Sequence, residues 1–146
     1  AYMEKERSRA KKLGYEDPIC MNKIETDRNF NGALKFLVKN LNYFSFIMGT
    51  HNEESSSLLM DLMIKNKIQS NNKHIWFAQL YGMSDQISFN IANLGYNVCK
   101  LLPYGPVKEV LPYLIRRAEE NSSIRGQSSR ELALIKKEFK RRKINS

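Results

Sequence analysis

Cysteine is scarce and dispersed: Cys20 and Cys99 stand far apart, and neither belongs to a C-x-x-C pair or a Cys/His cluster. That excludes a disulfide framework and a zinc site, and it is compatible with a reducing compartment. Paired carboxylates, a Ser-His-Asp set, a glycine-rich phosphate loop and metal-ligand spacing are all missing. Acid–base and metal-assisted hydrolysis therefore have no visible machinery, and neither a general acid or base nor a metal ligand is expected. No apolar run approaches the roughly 20 residues needed to cross a bilayer, and no signal or transit peptide is visible.

Acidic residues are also in deficit, 15 against 24 basic ones, for a net charge of +9. The excess is concentrated at one end. From Ile124 onward eight basic residues face only Glu131 and Glu138, leaving +6 there and +3 over residues 1–123. Such a tail suits nucleic acid or an anionic membrane surface. Apart from Phe139, however, it lacks the aromatic residues that stacking on bases requires. A basic helix, solvated or adjacent to a membrane, is expected over 124–146, and no nucleic-acid partner.

What is present is a βα rhythm. With 146 residues, 42% of them hydrophobic, the chain can bury a sizeable core. The charged stretch 4–12 predicts a surface helix stopped near Gly14 and Pro18, and Phe30, Ala33, Leu34, Leu37 and Leu41 predict a second helix over 28–41. Short apolar runs begin near 45, 75 and 96. The first is followed by Thr50-x-x-Glu53, a capping-box pattern, with Leu58, Leu59, Leu62 and Met63 turned inward beyond it. The second is followed by Ser84, a candidate cap for a helix running to about Leu94 and ended by Gly95. Short apolar strands without clean alternation, each followed by a helix, fit a parallel sheet covered on its faces.

After the third strand comes a helix carrying an adjacent arginine pair. At 3.6 residues per turn, Tyr113, Arg116, Arg117 and Glu120 share one stripe, while Val107, Val110, Leu111, Leu114 and Ala118 form another that reads as core-facing. Two guanidiniums beside a phenol make a plausible clamp for a small carboxylate, because the planar fork of arginine binds carboxylates bidentately. An adjacent arginine pair on a helix is equally well a solvated face.

The stretch Tyr113-Leu114-Ile115-Arg116-Arg117-Ala118-Glu119-Glu120-Asn121 resembles the signature Tyr-Leu-x-Arg-Arg-x-x-Glu-Asn on the last barrel helix of the proline dehydrogenases. Three further pieces match in that family's order. Ala1-Tyr2 is similar to the end of its fifth strand, Thr50-His51-Asn52 to the end of the sixth, and Gln79-Leu80-Tyr81-Gly82-Met83 to the end of the seventh. The resemblance is weak over residues 17–44 and after Ser123. It implies an α/β fold, the C-terminal part of a (βα)8 TIM-like barrel of about three and a half βα units over residues 1–123. It also implies FAD as cofactor, with the ring of L-proline oxidised to 1-pyrroline-5-carboxylate and electrons passed to a quinone. The protein's part in such chemistry is to bind, position and tune.

The same resemblance assigns roles by position. Arg116 and Arg117 would hold the substrate carboxylate, Tyr113 would lie beside the ring, and Leu80 and Tyr2 would wall the substrate site. Thr50, His51 and Asn52 would meet the flavin's polar chain, with Gln79 and Glu120 as weaker cofactor candidates. Each has a structural alternative: Thr50 or Asn52 as a helix cap, Gln79 as a partner of backbone groups, Glu120 as an ion-pair partner of Arg116 or Arg117, Leu80 as ordinary packing. His74 matches nothing and reads as a surface residue. Leu101 stands where many members have tyrosine at the end of strand eight, which opens 4-hydroxyproline as an alternative substrate and hydroxyproline dehydrogenase as a rival reading. The resemblance further implies the matrix side of the mitochondrial inner membrane. With Ala1 in the position of a strand end, a fragment of a longer chain is expected. From another class, the rival is a non-catalytic basic module acting through residues 124–143, which leaves the four ordered matches unexplained.

Overall fold

The computed structural model describes residues 3–123, 133, 136, 137 and 139–142, with side chains in the first stretch described as far as Arg117. The chain divides into two compact units, Ala1–Leu102 and Pro103–Ser146. Tyr2, the side chain of Glu120 and most of the basic tail lie outside the described residues.

The first unit opens with α1, Met3–Leu13, whose Ala10 is buried and whose end is closed by Gly14 N–H donating to the Ala10 carbonyl at 2.8 Å. Helix α2 spans Lys23–Lys39. It begins five residues earlier than the apolar spacing suggests because Asn22 caps it: Asn22 Oδ1 accepts from Glu25 N at 2.9 Å, while Glu25 Oε2 reaches back to Met21 N at 3.1 Å. This reciprocal pairing satisfies donors that a helix start otherwise leaves orphaned.

Three strands follow in sequence order, β1 (Phe46–Gly49), β2 (Ile75–Leu80) and β3 (Val98–Leu101), joined through α3 (Glu53–Lys65) and α4 (Asp85–Asn93). All pairing is parallel with β2 in the middle: Met48 pairs with Phe77, Phe77 with Val98, and Leu80 with Leu101. One sheet face carries Met48, Ile75, Phe77 and Gln79 and is buried. Leu34 and Val38 of α2, Leu59 and Met63 of α3, and Ile87 and Ile91 of α4 complete that core. The other face carries Ile47 and Trp76, both exposed. Parallel strands are ordinarily covered on both faces, so this exposed side is the one a closed barrel would turn inward.

Helix α3 is capped by Asn52, not by the Thr50-x-x-Glu53 box. Asn52 Oδ1 accepts from Glu54 N at 2.9 Å and Ser55 N at 3.3 Å, and Thr50 Oγ1 takes the Asn52 N–H at 3.1 Å, making Thr50 the turn before the cap. His74, expected at the surface, is half-buried at the opposite end of the sheet and shares a 2.7 Å hydrogen bond with Ser45 Oγ.

In the second unit, α5 runs Val107–Ser123. Its first turn is closed by Glu109 and Val110 N–H groups donating to the Pro106 carbonyl. Gly105 precedes it at φ +154, where a Cβ would lie 3.2 Å from Val110 Cγ2. Of the stripe expected to face a core, Val107, Leu111 and Leu114 are exposed, Val110 is half-buried, and the side chain of Ala118 lies outside the described residues. Among the described residues no helix is long and apolar enough to cross a membrane.

Two aliphatic residues of α3 separate core from surface. Leu59→Ala, at a fully buried position, is expected to cost about 2–5 kcal/mol of folding stability, whereas Ile64→Ala, at an exposed one, is expected to stay within about 0.5 kcal/mol. Urea unfolding midpoints at unchanged m-value measure the contrast.

Candidate active site

Thr50, His51, Asn52 and Gln79, singled out in the sequence, gather with Leu80 and Leu101 at the C-terminal ends of the three strands, because all three strands run parallel. The turn Thr50-His51-Asn52 leaves β1, Gln79 and Leu80 end β2, and Leu101 ends β3. Leu80 and Leu101 are register partners on the sheet face away from the helices, two residues beyond Ala78 and Cys99. Gly49 shares that face as the partner of Ala78, and nothing lies within 4 Å of where its Cβ would be. The result is a strip with small residues behind and two leucines at the rim.

The turn is held from three directions. Gln79 Nε2 donates to the Thr50 carbonyl at 3.2 Å, and Gln79 Oε1 accepts from Ser88 Oγ of α4 at 2.9 Å. Gln79 is only 2% exposed, on the helix-facing side of the sheet. Strand alternation turns it away from the strip, and its amide braces the turn, the backbone-partner role that was the alternative to a cofactor contact. Asn52 is likewise committed, its oxygen to the α3 cap and its Nδ2 donating to Asp27 Oδ1 of α2 at 3.3 Å. His51 Nδ1 shares a 2.9 Å hydrogen bond with Ser84 Oγ.

Ser84 does occupy the start of α4, but without a side-chain cap bond and in the left-handed region at φ 50, ψ 42. Its hydroxyl goes to His51. The approach to it is shaped by Gly82 at φ +76, where a side chain would be strained, and by Met83 N donating to the Leu80 carbonyl at 3.1 Å. Lys100 donates to the Met83 carbonyl at 2.6 Å and lies 2.8 Å from Asp85 Oδ1. Ser84's true role, Asp27, Asp85 and Lys100 all escaped sequence reading. A serine before a helix signals a cap, and a lone lysine on a strand carries no signal.

In the second unit Arg117 stacks its guanidinium over Tyr113, 5.3 Å from the ring centroid, while Arg116 is exposed. The pair thus divides: one arginine is oriented by an aromatic face and the other extends toward solvent. Among the described residues no cluster of histidine, cysteine or acidic side chains suits a metal ion.

The two functions of the Asn52 amide separate in a pair of variants. Asn52→Ala should lose the cap and cost about 1 kcal/mol. Asn52→Asp should keep the cap oxygen but set a carboxylate against Asp27, so it should not recover the native unfolding midpoint; adding Asp27→Asn should restore part of the loss.

Comparison with known proteins matches this arrangement to one family. The family model for proline dehydrogenase covers residues 1–130. A mitochondrial proline dehydrogenase 1 of Caenorhabditis elegans is 43% identical over 97% of this chain and 24% of its own length. The human mitochondrial proline dehydrogenase 1 is 39% identical over 97% of the chain and 24% of its own length. A hydroxyproline dehydrogenase of Xenopus laevis is 40% identical over 99% of the chain and 32% of its own length. Among solved structures, proline utilization A (PutA) from Bdellovibrio bacteriovorus, inactivated by N-propargylglycine, superposes with a TM-score of 0.76 at 30% identity, covering 86% of this chain and 13% of that one. The chain thus spans between about a quarter and a third of the length of these curated relatives, and 13% of the longer PutA. Its three parallel βα units are a partial TIM-type barrel, and the chain belongs to the proline dehydrogenase family.

Proposed function

We propose that this chain supplies the last βα units of an enzyme that oxidises L-proline to 1-pyrroline-5-carboxylate with FAD, the ring losing a hydride from its C5 carbon and a proton from nitrogen, and the electrons passing on to a quinone. The observation that carries this reading is the convergence of Thr50, His51, Leu80 and Leu101 at the C-terminal ends of three adjacent parallel strands, the end at which barrel enzymes gather their chemistry. The donor set suits a flavin. Thr50 keeps its O–H to donate while its oxygen accepts from Asn52 N, His51 is held by Ser84, and the open space above Gly49 leaves room for close approach. When bound, FAD supplies the acceptor for the two-electron oxidation.

The chain's own residues then bind and orient. Thr50 and His51 hold the cofactor's polar chain, with Gln79 and Asn52 fixing the backbone that presents them. Arg116 and Arg117 grip the substrate carboxylate, Tyr113 sets the plane of Arg117, and Leu80 and Leu101 wall the ring. Glu120 and Tyr2 complete the cofactor and substrate contacts. By analogy with the mitochondrial relatives the enzyme works in the mitochondrion, on the matrix side of the inner membrane. The basic tail provides a peripheral contact with anionic lipid.

Leu101 supports a second reading, hydroxyproline dehydrogenase, since it puts a short aliphatic wall at the rim where a phenol would fill more space.

Losing one charge-assisted pair to a carboxylate costs about 1.5–3 kcal/mol. In the full-length enzyme Arg116→Met and Arg117→Met should therefore each lower kcat/KM for proline roughly 10–100-fold with the unfolding midpoint preserved. Near-normal kinetics in both would return the pair to a solvated face.

Reshaping a pocket wall by a few atoms changes discrimination by about 1–3 kcal/mol. Leu101→Tyr should shift the kcat/KM ratio toward proline over 4-hydroxyproline, and an unchanged ratio would remove Leu101 from specificity.

A further inference from the structure

Lys100 lies beside Gln79 in the β2–β3 register, on the sheet face the helices cover, with its side chain 23% exposed. Its two acceptors, the Met83 carbonyl at 2.6 Å and Asp85 Oδ1 at 2.8 Å, bracket Ser84 in sequence. Ser84 is 1% exposed and has a conformation that L-residues rarely adopt. A serine at a helix start ordinarily has an extended backbone and gives its oxygen to the first-turn N–H groups. Here it makes no such bond and meets His51 Nδ1 at 2.9 Å. Conformations of this kind persist where the surroundings over-determine them, and the lysine supplies that constraint by fixing the carbonyl before Ser84 and the carboxylate after it.

We propose that Lys100 and Ser84 are positioning residues for His51: the ammonium latches the β2–α4 loop, and the serine carried by that loop fixes the orientation and tautomer of the imidazole. The functional consequence rests on the reading of His51 as a flavin contact, whereas the latch is a property of this chain's own residues. The ammonium's three donors suit two acceptors of different type at different angles. Replacing it leaves the Met83 carbonyl without that donor and Asp85 without its counter-charge, so the segment between them relaxes and the serine swings off the ring.

The test uses the flavin-free, full-length protein with 15N-labelled histidine, the His51 signals being assigned by their loss in His51→Gln. Ser84→Ala and Lys100→Met should both move the two ring-nitrogen shifts toward the averaged values of free histidine. Asp85→Asn, which keeps the Met83 bond, should move them less in the same direction. FAD affinity should fall about three- to tenfold in Ser84→Ala and Lys100→Met, the loss expected for one hydrogen bond. A folded Lys100→Met protein with native His51 shifts overturns the latch. If that variant does not fold, Asp85→Asn with native shifts overturns it equally. Responsive shifts combined with native FAD affinity in His51→Gln would sustain the positioning role and refute the flavin contact.

Discussion

Strand β2 carries parallel hydrogen bonds along both edges, and the rest of the first unit is arranged around it. Pairing Met48 with Phe77 and Phe77 with Val98 puts three apolar side chains on one face at one level, where the α2, α3 and α4 side chains close over them. Because strand side chains alternate, a slip of one residue would bring Trp76 and Ala78 to the helices and turn Phe77 and Gln79 outward. The same register decides where Thr50, Leu80 and Leu101 end. Core packing and site geometry are therefore one constraint seen from two ends of the strands.

Gln79 and Asn52, both candidate cofactor contacts in the sequence, hold backbone in the structure. Gln79 and Ser88 form a buried chain that ends on the Thr50 carbonyl, and Asn52 joins the α3 cap to Asp27. A net intramolecular hydrogen bond contributes only about 0.5–1.5 kcal/mol, but leaving a buried partner unsatisfied costs about 1–3 kcal/mol. The value of this network is thus mainly the penalty for breaking it, and that penalty makes the 50–52 turn rigid. A rigid turn suits the proposed function, in which a bound cofactor would carry the redox chemistry and the side chains would supply position.

In the second unit the Tyr113–Arg117 stack is worth about 0.5–1 kcal/mol where solvent is near, a modest energy that biases one guanidinium toward the ring face. Val107, Leu111 and Leu114 on the same helix form an exposed apolar seam among the described residues. Together with the exposed Ile47 and Trp76 of the sheet, they show how much apolar surface the described residues carry outside the core.

The order of elements, the parallel βα pattern and the family were determined by the sequence alone, because strand-length apolar runs, helix signals and the Tyr113–Asn121 motif are local properties that survive without coordinates. Boundaries were legible only where their chemistry was local. Gly14 and Gly95 mark helix ends, but Asn22 moved the start of α2, and between Thr50 and Asn52 as caps for α3 only geometry picks Asn52. The tertiary structure decided which polar residues face the strip and which brace it. Gln79 and Leu80 are neighbours in sequence yet lie on opposite faces of β2, and Lys100 meets Met83 and Asp85 only because β3 pairs beside β2. Such pairings depend on register and on contacts distant in sequence, which no single segment of the chain encodes.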